Sequence, residues 1–315
     1  GHVRVYSWNG SSWSQLGSDI DGATYSDKSG ISVSLDSDGD RVAIGAYCSV
    51  SRSNKGHVRV FEWSGGSWSQ LGSEIVGART DDELGNSICL DSDGDRLAIG
   101  SKNGYGNFNW SGYVRVYSWN GSSWSQLGSD IDGNSYQDAS GASISLNSDG
   151  DRVAIGATLD DDAGTNSGVV CVYEWNGSSW SQLGSNIAGE GAHDYFGSGV
   201  SLDSNGDRVA IGAYGNDGTA NFAGHVRIYI WNGGNWIHGG SDIDGEAVDD
   251  RSGGEFGHSV SIASNGERVA IGAFQNDGGG SDAGHVRVYD ISDAALPVEL
   301  TSFELLETRN NGITL

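Results

Sequence analysis

The chain of 315 residues has no methionine, a single proline and three cysteines, and its 17 basic residues face 42 acidic ones, a formal charge of −25. Each scarcity excludes something. So few cations on so acidic a chain exclude partners held through their phosphates, because nucleic acid and anionic membrane surfaces are both repelled. No apolar run approaches the roughly 20 residues of a membrane-spanning helix, so membrane insertion is not expected. No basic-then-apolar leader opens the chain, and the lack of any methionine, the initiator included, implies a processed chain or a fragment. Cys48, Cys89 and Cys171 cannot all pair and do not have the spacing of a zinc site. With so little proline, 52 glycines are not collagen-like, and 11 tryptophans and 12 tyrosines do not belong to a disordered chain. The composition predicts a soluble, acidic, extracellular protein built of strands.

What is abundant is repetition. Gly1-His2-Val3-Arg4-Val5-Tyr6 returns with variations at Gly56, Gly112, Gly168, Gly224 and Gly284, at intervals of 55, 56, 56, 56 and 60 residues. One unit reads as four short strands. His2–Trp8 alternates apolar and polar with period two. Asn9-Gly10 supplies a tight turn, since asparagine and glycine adopt positive φ readily, and Trp13–Ile20 returns. After a polar stretch come Ile31–Leu35 and Arg41–Gly45, joined across Asp38-Gly39. No segment has the 3.6-residue period of a helix. Serial four-stranded units of this size predict an all-β chain folded as a β-propeller of four-stranded antiparallel blades, five to seven in number. Residues 1–291 form the propeller repeats, with residues 1–20 supplying only outer strands.

Phe196-Gly197 and Phe256-Gly257 before one strand, and Gly45-Ala46, Gly156-Ala157, Gly212-Ala213 and Gly272-Ala273 after the next, resemble the FG-GAP blades of integrin α-subunits and bacterial surface proteins. The hairpin from Val172-Tyr173-Glu174-Trp175 to Trp180 resembles the bacterial variant. Residues 292–315 leave the repeat: Leu296 to Phe303, which holds the only proline, looks like a linker and the start of a fibronectin-like module of the kind that follows repeats in type IX secretion cargo. That resemblance implies an exported, extracellular or cell-surface protein.

Three sets of residues invite a functional reading. The acidic hairpins Asp36/Asp38/Asp40, Asp91/Asp93/Asp95, Asn147/Asp149/Asp151, Asp203/Asn205/Asp207 and Ala263/Asn265/Glu267 place oxygen ligands at alternate positions, as a calcium ion with its 6–8 oxygen ligands requires, though the last lacks one at Ala263. FG-GAP blades bind calcium in this hairpin, but with a further aspartate where this chain is already strand. The alternative is a tight turn flanked by solvated acids. The variable loops Asp160-Asp161-Asp162, Asn216-Asp217 and Asn276-Asp277 form a second set, because binding residues concentrate in loops on rigid scaffolds. Trp110 lies outside the repeat and is a candidate ligand contact. By contrast, Trp8/Trp13, Trp63/Trp68, Trp119/Trp124, Trp175/Trp180 and Trp231/Trp236 recur in register, which favours cross-strand packing over a ring of sugar-stacking platforms. Ten of the 14 arginines occupy two repeat positions, as expected of cations paired with a fixed acid or ring.

No nucleophile–base arrangement, phosphate loop or off-repeat polar cluster stands out. The sequence therefore predicts a non-catalytic adhesion, structural or display module. Its partner would be a cell-surface protein, a glycan or another copy of the same assembly. A carbohydrate-binding lectin is the alternative, and a propeller hydrolase or lyase a third reading.

Overall fold

The computed structural model describes residues 1–47, 54–254 and 259–292. The tail from Leu296 to Phe303 that resembles a fibronectin-like module lies outside the described residues, as does Phe256 of one Phe-Gly pair. All regular structure among the described residues is β.

The chain folds as a propeller of five blades, each a four-stranded antiparallel sheet in the complete repeats. The first blade runs through Ser32–Leu35, Arg41–Ala46, His57–Ser64 and Ser67–Gln70. The next three repeat this order from Ser87, Ser140 and Phe196, and in each a two-residue strand also pairs with the start of the third. The fifth shows Val260–Ile262, Arg268–Ala273 and His285–Asp290. At the other end, Tyr6–Trp8 pairs with Trp13–Gln15, and His2–Val3 with Ile20–Asp21, as a lone pair of outer strands packed on the first blade.

Sequence alternation explains the stacking. In each third strand, one set of alternate residues faces the following blade: Val58 and Val60 pack with Ile88, Leu90, Leu97 and Ile99, and Val114 and Val116 with Ile144, Leu146, Val153 and Ile155. These residues are almost fully buried, and each contributes on the order of 1.5–3 kcal/mol relative to exposure. The core is therefore a series of layers between blades.

Three polar devices lock neighbouring blades. The N–H groups of Ser37, Ser92, Ser148 and Ser204 donate to the carbonyls of Ser92, Ser148, Ser204 and Ser264, forming a belt around the axis. The indole Nε1 of Trp68, Trp124, Trp180 and Trp236 donates to the carbonyl of Leu16, Leu71, Leu127 and Leu183 in the preceding repeat, at 2.8–3.0 Å. The guanidinium groups of Arg41, Arg96, Arg152 and Arg208 reach the carbonyls of Gly94, Gly150, Gly206 and Gly266 in the next turn. Each paired tryptophan ring is also stacked at a tilt on its partner, with centroids 5.3–5.6 Å apart. Four of the five aromatic hairpins are thus clamps between blades, while Trp8 and Trp13 are exposed.

Candidate functional site

The acidic turns lie at one end of the propeller, around a central funnel of about 310 Å³ lined by the first strands of all five blades. Their leading residues are buried, and each caps its own turn. Asp36, Asp91 and Asp203 accept the backbone N–H of Arg41, Arg96 and Arg208 at 3.0–3.1 Å, and Asn147 accepts that of Arg152 at 2.9 Å. An amide performs the same duty as a carboxylate there, so the duty needs no charge, and the fifth turn has Ala263 at this position. Burial pushes Asp91 up to about 6 and raises Asp36 and Asp203. Asp38, Asp40, Asp93 and Asp149 are exposed, while Asp95, Asp151 and Asp207 are half-buried. The guanidinium of Arg152 contacts Asp207.

A different group gathers metal-type donors. Glu190, His225 and Asp242 each offer a ligand atom within 4.8 Å of the others, the one such triad among the described residues. His225 is buried, its Nε2 has no hydrogen-bond partner, and burial, followed by the charge of Arg227, lowers its pKa. Arg227 already lies between the two carboxylates, bonded to both, so a cation entering here would meet a charge of its own sign.

The opposite end carries the variable loops, and a row of aspartates that sequence reasoning missed anchors them. Asp27, Asp82, Asp138, Asp194 and Asp250 are all at most 5% exposed. Asp82, Asp138, Asp194 and Asp250 accept the backbone N–H of Arg79, Ser135, Gly191 and Ala247 at 2.6–2.9 Å. On both sides of each, a non-glycine residue is left-handed, with φ between 51° and 67°. Such residues cost on the order of 1–3 kcal/mol each, and the buried aspartate between them fixes the loop. The signal was present: aspartate recurs at one place in every repeat, inside a loop that otherwise reads as solvent-exposed.

Four of the five have a neutral donor. Asp82 accepts from Tyr113 Oη at 3.1 Å, Asp194 from Asn216 Nδ2 at 3.2 Å and Asp250 from Asn276 Nδ2 at 3.1 Å; Asp27 accepts from Thr24 Oγ1. Asp138 differs, because Asp160 replaces the asparagine. Desolvation, then the charges of Asp160 and Asp162, push Asp138 up to about 6, and burial raises Asp160 too. The same blade replaces the recurrent arginine by Cys171, whose thiol bonds Asn186 at 3.2 Å and is pushed up to about 12, chiefly by burial. Asp138, Asp160, Cys171 and Tyr173 are among the residues that line a narrow pocket of about 10 Å³.

Directly flanking this pair in sequence, Gln137, Ala139 and Leu159 line an open cleft of about 370 Å³ between the second and third blades, together with Asp81, Glu83, Lys102, Asn103 and Trp110. Trp110 is 41% exposed and left-handed, with Tyr105 and Tyr136 at 6.0 and 6.1 Å on either side. Asn103 Nδ2 donates to Glu83 Oε2 at 2.7 Å. Of the sequence candidates, the structure places Trp110 in this cleft and Asp160 beside it. Asp161, Asp217 and Asp277 accept the N–H of Asn166, Phe222 and Asp282 within their own loops, and Asp162 donates its N–H to Asp160.

No family model matches the chain, and no curated protein matches it. The FG-GAP resemblance therefore rests on the repeat motifs alone. Among solved structures, the chain is similar to the periplasmic gluconolactonase PpgL of Pseudomonas aeruginosa, with TM-score 0.55 and 12% identity over 85% of this chain and 70% of that one. A putative 6-phosphogluconolactonase of Bacteroides uniformis matches with TM-score 0.48 and 10% identity over 90% and 89%. Hydrazine synthase of Kuenenia stuttgartiensis matches with TM-score 0.48 and 12% identity over 82% of this chain and 60% of its own length. The likeness to PpgL shows the propeller fold. It also corrects the expectation of a non-catalytic adhesion or display module: the fold is one on which a gluconolactonase is built, and the premise that no polar cluster breaks the repeat fails at the Trp110 cleft and the Asp138–Asp160 pair. The lectin alternative built on the aromatic hairpins is corrected as well, because in four of the five hairpins the rings clamp neighbouring blades instead of forming an exposed ring of platforms.

Proposed function

We propose that the chain is a propeller hydrolase acting on a small sugar-derived ester of the lactone type in the cleft between the second and third blades. The observation that carries this reading is the cleft itself, where an off-repeat, half-exposed tryptophan flanked by two tyrosines faces Asp81, Glu83, Lys102, Asn103 and Gln137. A pyranose-like ring has an apolar C–H face suited to Trp110 and hydroxyls suited to the amides and carboxylates around it. Lactone opening needs water made nucleophilic and a developing oxyanion stabilised. Glu83, held by Asn103, serves as the base that takes a proton from water as its oxygen attacks the carbonyl carbon. Lys102 stabilises the oxyanion, and as the tetrahedral adduct collapses the C–O bond of the ring breaks and the leaving oxygen takes the proton held by Glu83, giving the hydroxy acid and restoring the carboxylate. The similar gluconolactonase suggests the substrate class and no residue roles. An extracytoplasmic setting suits the acidic surface, and the similar gluconolactonase is a periplasmic protein.

Calcium is given no step. The leading residues of the acidic turns, Asp36, Asp91, Asn147 and Asp203, already accept backbone N–H groups, and the Glu190–His225–Asp242 triad encloses Arg227.

The test is turnover of glucono-1,5-lactone and related five- and six-membered sugar lactones in a pH-stat, with spontaneous hydrolysis subtracted. Glu83→Gln is expected to lower kcat by roughly 10²–10⁴-fold, and Trp110→Ala to raise KM with a smaller effect on kcat. Wild-type protein that hydrolyses no member of the panel, or variants as active as wild type, would overturn the proposal.

A further inference from the structure

The loop that carries Trp110 departs from its counterparts in one consistent direction. In the next three repeats the loops 158–168, 214–224 and 274–284 have the same length as 102–112. Each is tied by a carboxylate: Asp161, Asp217 and Asp277 accept the N–H of the residue five places on, at 2.7–2.8 Å. In the Trp110 loop that aspartate is replaced by Tyr105, and the residue five places on is Trp110 itself. A ring pair with centroids 6.0 Å apart stands where the other loops have a hydrogen bond.

Neighbouring substitutions leave these rings open. Phe222 holds the place of Trp110 two repeats on, and Arg251 covers it, with the guanidinium carbon 5.4 Å from the ring centroid. Beside Trp110 the residue at the place of Arg251 is Ala139, which lines the cleft. Its small side chain puts no cation over the indole. Phe108 is 51% exposed and stands where the other loops have Gly164, Ala220 and Gly280. Tyr136 is 56% exposed and its ring centroid lies 6.1 Å from that of Trp110. Its place is held elsewhere by Tyr25, Thr80, Ala192 and Val248, so the packing of a blade demands no ring there.

Single exposed apolar residues are ordinary, but contiguous exposed apolar surface marks a binding site. Tyr105, Trp110 and Tyr136 form such a run, and it is longer than the cleft. Trp110 lines the cleft, whereas Tyr136 and Phe108 lie outside its lining.

We infer that the cleft takes a lactone carrying a second sugar, a glycosyl-aldonolactone, with the lactone ring on Trp110 and a neutral glycosyl unit on Tyr136 beyond it. This substrate class rests on the hydrolase reading of the cleft. Each pyranose presents a C–H face to an aromatic ring, and consecutive sugar units meet consecutive rings. Asn107 and Asn109 are exposed and alternate with Phe108 and Trp110, which supplies amides for the hydroxyls. A fatty acyl substituent would need apolar surface unbroken by amides. Asp81 and Glu83 outnumber Lys102 in the cleft, so a phosphate or carboxylate on the second unit is repelled.

The test compares glucono-1,5-lactone with maltobiono- and cellobiono-1,5-lactone in the pH-stat, using the full-length chain and its Tyr136→Ala and Tyr136→Phe variants. Wild type is expected to hydrolyse at least one disaccharide lactone with kcat/KM roughly tenfold above that for the monosaccharide, the scale of one ring stack. Tyr136→Ala is expected to remove that preference through KM, and Tyr136→Phe to keep it. Equal kcat/KM on the mono- and disaccharide lactones would overturn the inference. So would a preference that survives Tyr136→Ala, or a greater preference for a lactone with a fatty acyl substituent. Binding separates the subsite from the chemistry. Maltitol and cellobiitol contain no lactone to open, and at least one is expected to bind wild type roughly tenfold tighter than sorbitol in calorimetry, with the advantage lost in Tyr136→Ala. That result without turnover of any lactone would overturn the hydrolase reading and support the two-sugar subsite. Equal binding of sorbitol and both glycosyl alditols would overturn the subsite whatever the turnover.

Discussion

Replacing Asp160 by asparagine should stabilise the protein at neutral pH. In the fourth and fifth blades an asparagine at this position donates to a buried aspartate at 3.2 and 3.1 Å. In the third blade, the buried Asp138 meets a second carboxylate and is pushed up to about 6 from 3.8, by desolvation first and then by Asp160 and Asp162. That shift corresponds to about 3 kcal/mol. A carboxyl group whose folded pKa is raised stabilises the fold fully below its unfolded pKa near 4. That contribution is lost as pH rises through about 6. Asp160→Asn leaves the desolvation in place but removes a like charge and adds a hydrogen bond to a charged group, itself on the order of 1.5–3 kcal/mol. The expected gain at pH 7 is therefore about 2 kcal/mol, shrinking toward pH 4. Urea unfolding of wild type and variant from pH 4 to 8 measures it, and taking the difference cancels the parallel titration of Asp91, which is also pushed up to about 6. A variant no more stable at pH 7, or a stability difference that does not change between pH 4 and 7, would refute the reasoning.

Other consequences are as direct. Trp236→Ala removes a 6%-exposed ring and its 2.9 Å bond to the Leu183 carbonyl, and should cost about 3–5 kcal/mol in denaturant unfolding. Asn147→Asp should be near neutral in the same measurement, because three of the other four turns use aspartate there, whereas Asn147→Ala strands the Arg152 N–H at a cost of about 1–3 kcal/mol. Against the upward push of desolvation, hydrogen bonds from Arg115 and Gln126 hold Asp130 below the usual carboxylate range. Its contribution to stability is present above about pH 4 and lost as pH falls further, so Asp130→Asn should flatten the acid limb of the unfolding profile. Leu97→Ala, at a fully buried position between blades, should cost about 2–5 kcal/mol.

Much of the architecture is legible in the primary structure because it is local and periodic. Alternation along Val58-Arg59-Val60 assigns the faces of a strand, Asp-Gly and Asn-Gly mark the hairpins, and a 56-residue period names the blade. The fixed arginines read as paired cations, and they are: Arg4 with Asp19, Arg115 with Asp130, Arg152 with Glu174. Trp110 was legible as an exception to the repeat. The acids around it were not, because carboxylates are so common in this chain that nearness in sequence says nothing of nearness in space.

The sequence alone determined that the chain makes four-stranded blades in series, since strand period and turn chemistry are properties of neighbours along the chain. Only the tertiary structure decided which acids are buried and which side chains share a cleft. Contacts between blades join residues 52 to 58 positions apart, so an aspartate that reads as solvated in its own loop is enclosed by the repeat beside it. Residues from 81 to 159 then converge on one tryptophan. Desolvation and convergence are properties of packed blades, and no single repeat contains them.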